Sequence, residues 1–214
     1  MTIVITGASR GIGAGLARAY RDRGQDVVGT SRSPSVGVQM DVTHPADHAA
    51  LAETLGDRAV DLLICNAGVY ADKGQTVESG YGADMWAQGF ATNVTGVFLA
   101  VQALLPHLRR ANGARIAIIA SQMGSSQRAP GGSYVYRASK AAAINLGRNL
   151  AMDLEPEGIA VGIYHPGWVQ TDMGGGAADI TVDQSVAGLV ARFDALDLGS
   201  TGCFETWDGR AHPF

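Results

Sequence analysis

The chain has 214 residues, 46% of them apolar and 17% charged. That composition is globular rather than disordered, and the length allows a sizeable core without disulfides or metals. A formal charge of −4 excludes a strong basic field, so neither nucleic acid nor an anionic membrane surface is an expected partner.

In chain order, short β-branched runs alternate with longer amphipathic ones. Thr2–Thr6 reads as a buried strand and Gly11–Arg23 as a helix with Leu16, Ala19 and Tyr20 on one face. Asp26–Thr30 is a second strand, and a third extended segment precedes Asp41-Val42. Pro45–Leu55 reads as a helix with Thr43 as a nearby cap. Leu62–Cys65 is strand-like. Ala83–Arg110 is a long helical stretch, expected to bend or break near Gly89, Gly96 or Pro106. Arg115–Ala120, a helix over Tyr134–Leu154, a strand over Ile159–Tyr164, a helix over Val182–Leu196 and an edge strand over Gly202–Thr206 complete the series. The alternation predicts α/β architecture: one Rossmann-like, doubly wound parallel sheet with helices on both faces, spanning residues 1–214 as a single domain. Ligands of such sheets bind beyond the carboxyl ends of the strands. The glycine-rich segments 69–82 and 174–178 read as mobile loops near those ends.

Cys65 and Cys203 form no CxxC pair, which suits free thiols in a reducing cytoplasm. The N-terminal apolar run is too short for a signal segment, and no unbroken apolar run reaches membrane-spanning length. His44 and His48 stand four apart without an evident third ligand, so no metal site is expected.

The segment Thr6-Gly-Ala-Ser-Arg-Gly-Ile-Gly13 lies directly between the first strand and the first helix. Gly7 permits a tight turn, while Gly11 and Gly13 let backbone approach a pyrophosphate held at the helix N-terminus. Ser9, Arg10 and Ile12 belong to the same cradle. About 20 residues on, an acidic residue would favour NADH; Thr30-Ser31-Arg32-Ser33 stands there instead. Arg32 offers a guanidinium to a 2′-phosphate and Ser31 leaves room for it, so NADPH/NADP+ is expected in preference to NADH. Arg10 would add a second positive charge. Asp41 and Val42 contact adenine, or Asp41 caps a helix; both readings stand.

Tyr136 and Lys140 stand at i and i+4 and share one helix face. Six tyrosines and two lysines, Lys73 and Lys140, make this spacing a rare coincidence. An ammonium beside a phenol favours phenolate and brings its pKa nearer the working range of a proton donor. Tyr134 has only Ala138 at the matching position.

These motifs together resemble the short-chain dehydrogenase/reductase family over nearly the whole chain. TGASRGIG at 6–13, Asn66-Ala67-Gly68, Asn93, Ser121, Tyr136/Lys140, and Pro166-Gly167 with Thr171 occur in the family's order. The stretches around Tyr136 and Pro166 look most like the C-factor and sniffer-type carbonyl reductase branch. The resemblance implies hydride transfer between NADPH and a small carbonyl or alcohol substrate. It implies that Ser121 binds the carbonyl, Tyr136 is the acid/base, Lys140 assists it and contacts the ribose, and Asn93 holds a water linked to Lys140. It places Asn66, Ala67 and Gly68 by the adenosine ribose, and Pro166, Gly167, Val169 and Thr171 by the nicotinamide. A homodimer or homotetramer built on the two long helices is also implied. The serine-to-tyrosine gap is about two residues longer than in many relatives, leaving Ser125 or Ser126 as substitutes for Ser121. Trp168 is a candidate pocket wall; Met123, Tyr70 and Trp207 are weaker ones. The C-factor likeness also raises an alternative, an NADP(H)-binding regulatory or signalling protein with little turnover.

Overall fold

The computed structural model describes residues 1–33 and 37–214. Seven strands form one parallel sheet: β1 (Thr2–Ile5), β2 (Asp26–Ser31), β3 (Val38–Gln39), β4 (Leu62–Cys65), β5 (Arg115–Ile119), β6 (Ala160–His165) and β7 (Phe204–Thr206). Their order in space is β3-β2-β1-β4-β5-β6-β7, so the winding reverses between β1 and β4. The crevice at that reversal is where a ligand fits, because neighbouring connections diverge there.

Both faces of the sheet are covered, as an all-parallel sheet requires. Val4, Leu63, Cys65, Ile116 and Ile118 point to one side. There they meet α2 (Pro45–Leu55), α4 (Gly96–Leu108) and α5 (Tyr134–Leu154) through Leu51, Leu104 and Leu150. The alternate residues Ile3, Ile5, Leu62, Ile64, Ala117 and Ile119 point the other way, onto Leu16, Tyr20, Leu189 and Phe193 of α1 (Gly11–Asp22) and α6 (Val182–Ala195). Period-two side-chain direction thus divides continuous apolar runs into two cores.

The long helical stretch is interrupted where its composition weakens it. α3 (Ala83–Phe90) gives way to a π turn over Ala91–Thr95 before α4 begins at Gly96. Gly89 and Gly96 flank the π turn, whereas Pro106 is tolerated inside α4. A Cβ at Gly89 would lie 2.5 Å from Val135 Cγ1, and one at Gly96 would lie 2.9 Å from the Val42 carbonyl oxygen. These glycines therefore bring the helices close to α5 and to the β3–α2 connection. The combined run Ala83–Leu108 is long and apolar enough to cross a membrane by length and composition. Here Val97, Val101, Leu104 and Leu108 are core side chains, while Trp86 and Phe98 are exposed.

Two local expectations change. Thr43 does not cap α2: its N–H and hydroxyl both donate to Asp41 Oδ1, at 2.9 and 2.7 Å, and His44 holds the N-cap position ahead of Pro45. The start of the 69–82 segment is anchored, through Val69, Tyr70 and Asp72.

Candidate active site

The glycine turn is built by close approach. Gly7 adopts φ +70°, and a Cβ there would lie 2.9 Å from Ala67 Cα. Gly13, already inside α1, leaves no room for a side chain: a Cβ would sit 2.1 Å from the Gly7 carbonyl oxygen and 2.5 Å from Asn66 Nδ2. Asn66 Nδ2 donates to the carbonyls of Thr6 and Gly7 at 3.0 and 2.9 Å. Thr6 Oγ1 accepts from the N–H groups of Asn66 and Ala67 at 3.0 and 3.1 Å. The ends of β1 and β4 are thereby joined at the winding reversal. Thr6 was not singled out in the sequence, although it opens the motif.

A cavity of about 560 Å³ runs from this turn across the carboxyl ends of the strands. Gly7, Ser9, Arg10, Gly11 and Ile12 line its floor, with Ser31, Arg32, Asp41 and Val42 at one end. Asn66, Ala67 and Gly68 also line it, as do Tyr136, Lys140 and Pro166, and Thr171 lies against Gly11 of the turn. The cavity's length, its backbone cradle and the arginine at its far end fit an extended dinucleotide. Gly13, Gly167 and Val169 lie off its wall. Gly13 is held under the turn, Gly167 faces Ile180 and Trp207, and Val169 is buried in a bridge with Ile180.

The two arginines differ. Arg10 spans the cavity mouth to Asp172, Nη1 to Oδ2 2.8 Å, so its charge is already engaged on the surface. Arg32 forms no ion pair with a carboxylate among the described residues and stands near Asp41, whose charge it favours. Burial pushes the Asp41 carboxyl up, but hydrogen bonds from Thr43 outweigh it and hold the group below its ordinary value. Ser31 is buried and donates to the Ser33 carbonyl at 2.7 Å.

At the other end, α5 delivers Tyr136 and Lys140 side by side. Lys140 is buried, its Nζ donating to the Ile119 carbonyl at 2.8 Å and lying 5.7 Å from the Tyr136 ring centre. Burial lowers the Lys140 ammonium to about 8. Burial also pushes the Tyr136 phenol up to about 12, while a hydrogen bond with Ser121 opposes the rise and Tyr70 and Asp72 add to it. The lowered phenol anticipated from the Tyr-Lys spacing is therefore not a property of this pair alone, because burial penalises both charged forms.

Of the three serines, Ser121 is the one that acts on the Tyr136 phenol. It follows β5 after Ala120, is buried, and its Oγ accepts from the Met123 N–H at 3.1 Å. Ser125 is buried without a partner for its hydroxyl among the described residues, and Ser126 is exposed. The long loop folds as a short 3₁₀ turn over Gln122–Gly124, which turns the chain away after Ser121.

Asn93 sits in the π turn, 1% exposed. Its amide clasps Val69 in both directions, accepting from the N–H and donating to the carbonyl at 2.9 Å each, and also donates to Ser139 Oγ at 2.9 Å. Both amide hydrogens are used in tying Val69 to α5, and the amide oxygen accepts one bond, from the Val69 N–H.

Two residues near Tyr136 escaped the sequence reading or carried little weight in it. Asp72 is wholly buried, and its Oδ2 accepts from the N–H groups of Val135 and Tyr136 at 2.8 and 3.2 Å. It caps α5 from 63 residues away, in place of Ser133, whose left-handed backbone makes no side-chain cap. Tyr70 stacks on Tyr136, ring centres 4.3 Å apart, and shares a 2.6 Å hydrogen bond with Ser133 Oγ. Nothing local in the sequence marks Asp72, because the cap is a long-range contact. Asp72→Ala should cost about 1–2 kcal/mol of stability by orphaning two buried N–H groups. A melting temperature unchanged within error would contradict that role.

Among the described residues, no group of three or more His, Cys, Asp or Glu is placed to hold a metal. His48 Nε2 instead pairs with the Val42 carbonyl at 2.8 Å. Cys65 is buried and free, and burial pushes its thiol up to about 12.

A glycine turn at the winding reversal, continuous with a buried Ser–Tyr–Lys cluster, defines a dinucleotide-dependent dehydrogenase type of site. The short chain dehydrogenase family model matches residues 1–180, and the chain belongs to that family. It is 39% identical to the C-signal protein of Myxococcus xanthus over 166 residues, covering 77% of this chain and 99% of that one. An NADPH-bound carbonyl reductase from chicken fatty liver superposes with a TM-score of 0.92 at 31% identity, over 100% and 98% of the two chains. The carbonyl reductase Sniffer of D. melanogaster gives 0.93 at 27%, over 100% and 99%.

Proposed function

We propose that the chain is an NADPH-dependent carbonyl reductase acting reversibly on small carbonyl or alcohol substrates, with the whole chain working as one dinucleotide-binding domain. The observation that carries this reading is the Tyr136–Lys140 pair on the lining of a cavity that also holds Arg32, with Ser121 close enough to act on the Tyr136 phenol. Bound NADPH supplies the hydride. Gly7, Gly11 and the N-terminus of α1 receive its phosphates, and Arg32 takes the 2′-phosphate. Ser121 donates to the substrate carbonyl and orients it. Tyr136 gives its phenolic proton to the oxygen as negative charge develops there. Lys140, held by the Ile119 carbonyl, stabilises the phenolate left behind. Asn93 acts by fixing 68–70 against α5 and by offering main-chain groups to a water near Lys140. The likeness to an NADPH-bound carbonyl reductase supports the choice of cofactor and reaction.

The test is a panel of aldehydes and ketones followed by loss of the reduced-nicotinamide absorbance. Arg32→Ala should raise the KM for NADPH about 10- to 100-fold while leaving that for NADH nearly unchanged, the scale of a lost charge-assisted bond. Equal effects on both cofactors would refute the 2′-phosphate role.

A second reading, a cofactor-binding signalling protein, draws on the likeness to C-signal. A cellular role surviving loss of both Tyr136 and Lys140, with cofactor binding intact, would favour it. Free thiols and a net negative surface suit a cytoplasmic location. Exposed Trp86, Phe98, Tyr134 and Met152 on α3, α4 and α5 suit a homodimer or homotetramer built on those helices.

A further inference from the structure

A second cavity, about 460 Å³, lies at the carboxyl ends of β6 and β7 and is lined by Gln122, Arg128, His165, Trp168, Trp207 and Arg210. Consecutive residues wall the two cavities. Ala120 lines the first and Gln122 the second, with Ser121 between them; Pro166 lines the first, and Gly167 and Trp168 the second. A substrate whose carbonyl rests on Ser121 and Tyr136 therefore has its remaining body directed toward this second space.

The lining has a distinct chemistry. Trp168, Trp207, Ile180 and Pro213 supply apolar surface. Trp168 is pinned by its indole N–H to the Gly174 carbonyl at 2.8 Å. Arg210 is neutralised by Asp208 at 2.9 Å. Arg128 has no carboxylate partner among the described residues: its guanidinium donates only to the neutral Gln122 side-chain oxygen. Its backbone carbonyl is held by Arg137 Nη1 at 3.0 Å, next in sequence to Tyr136. His165 is only 8% exposed, and its ring makes no hydrogen bond among the described residues. His212 stands edge-on to it at 6.2 Å. The one carboxylate on the lining, Asp179, is exposed. An exposed guanidinium without a carboxylate partner and an unsatisfied buried imidazole thus line a cavity of mixed polar and apolar walls. His165 Nδ1 lacks the partner that buried polar groups ordinarily have, and the solvent-exposed Arg128 guanidinium acts on it with no carboxylate to balance its charge; together they suit an anionic ligand.

We propose that this cavity is the outer part of the substrate site and selects carbonyl compounds with an apolar body and a carboxylate at the far end, Arg128 being the partner of that carboxylate. The assignment of the cavity to substrate rests on the reductase reading given above; the anion preference rests on the lining itself.

The experiment compares 4-carboxybenzaldehyde with its uncharged methyl ester, using NADPH and the full chain. The wild type should reduce the acid with about tenfold higher kcat/KM than the ester, the scale of one charge-assisted hydrogen bond. Arg128→Gln should abolish that preference by lowering the acid about tenfold and leaving the ester within twofold. Arg128→Lys should keep most of it, and Arg210→Gln should leave it nearly intact. Equal use of acid and ester by the wild type would overturn the proposal, as would a preference that survives Arg128→Gln. A binding measurement separates this from the reductase reading. Benzoate should quench the fluorescence of Trp168 and Trp207 in the cofactor-free protein, with about tenfold weaker binding in Arg128→Gln. If neither aldehyde turns over, Arg128-dependent quenching sustains the anion site while the reductase reading falls. If turnover is absent and benzoate does not bind, or binds the variant equally well, the anion site is overturned.

Discussion

Tyr136→Phe should lower kcat for carbonyl reduction by about 10²- to 10⁴-fold, the usual contribution of a positioned proton donor. The affinity for NADPH should stay within a few-fold of wild type, because the ring keeps its stack on Tyr70 and its place on α5. The fold should also persist, since the substitution removes one hydroxyl and keeps the buried ring. Parallel measurement of turnover and of cofactor binding by fluorescence titration distinguishes lost chemistry from a lost site. Turnover within tenfold of wild type would mean that the proton comes from elsewhere.

The second large effect concerns Lys140→Met, and its sign differs between activity and stability. Buried Lys140 carries its charge only below about pH 8. If that charge stabilises the phenolate, reduction by the wild type should fall as pH rises through about 8. The variant should be slower by roughly 10²-fold or more and lack this limb. Stability should move the opposite way. The folded-state value lies below the unfolded one, so between about pH 8 and the ordinary lysine range the unfolded chain binds more protons. Stability then rises with pH, by roughly 3 kcal/mol across the window. At pH 7 the buried ammonium is a burden on the fold, offset in part by its bond to the Ile119 carbonyl. Lys140→Met removes both. The stability of the wild type relative to the variant should therefore increase between pH 8 and 10 in urea titrations. A pH-independent difference would show that Lys140 does not titrate in that range.

These two variants bear on a feature the primary structure conveys only partly. The Tyr-x-x-x-Lys spacing carries the pairing, because four residues on a helix return to the same face. It does not carry the electrostatics. Burial raises one group and lowers the other, and burial depends on β5, Asn93 and the 69–82 segment closing around them. Asn93 shows the same limit. Its position in the motif order is visible, whereas its bonds to Val69 and Ser139 depend on a π turn meeting a loop and a helix. Arg10 looks like a phosphate ligand by its place in the glycine turn, yet it bonds Asp172, 162 residues away.

By itself, the order of residues determined the parallel α/β sheet, through apolar runs whose alternate side chains enter opposite cores. It also determined the glycine turn, because Gly7 and Gly13 stand where no Cβ fits, and the Tyr136–Lys140 pair, because helical spacing is local. Tertiary structure alone brought Ser121, which precedes the 3₁₀ turn, close enough to act on the Tyr136 phenol. It alone brought Asp72 to the start of α5, and it alone gathered Arg128, His165 and the two tryptophans around one cavity. Contacts of that kind join segments far apart in the chain. No local pattern encodes them, because each depends on where several loops end after the sheet has formed.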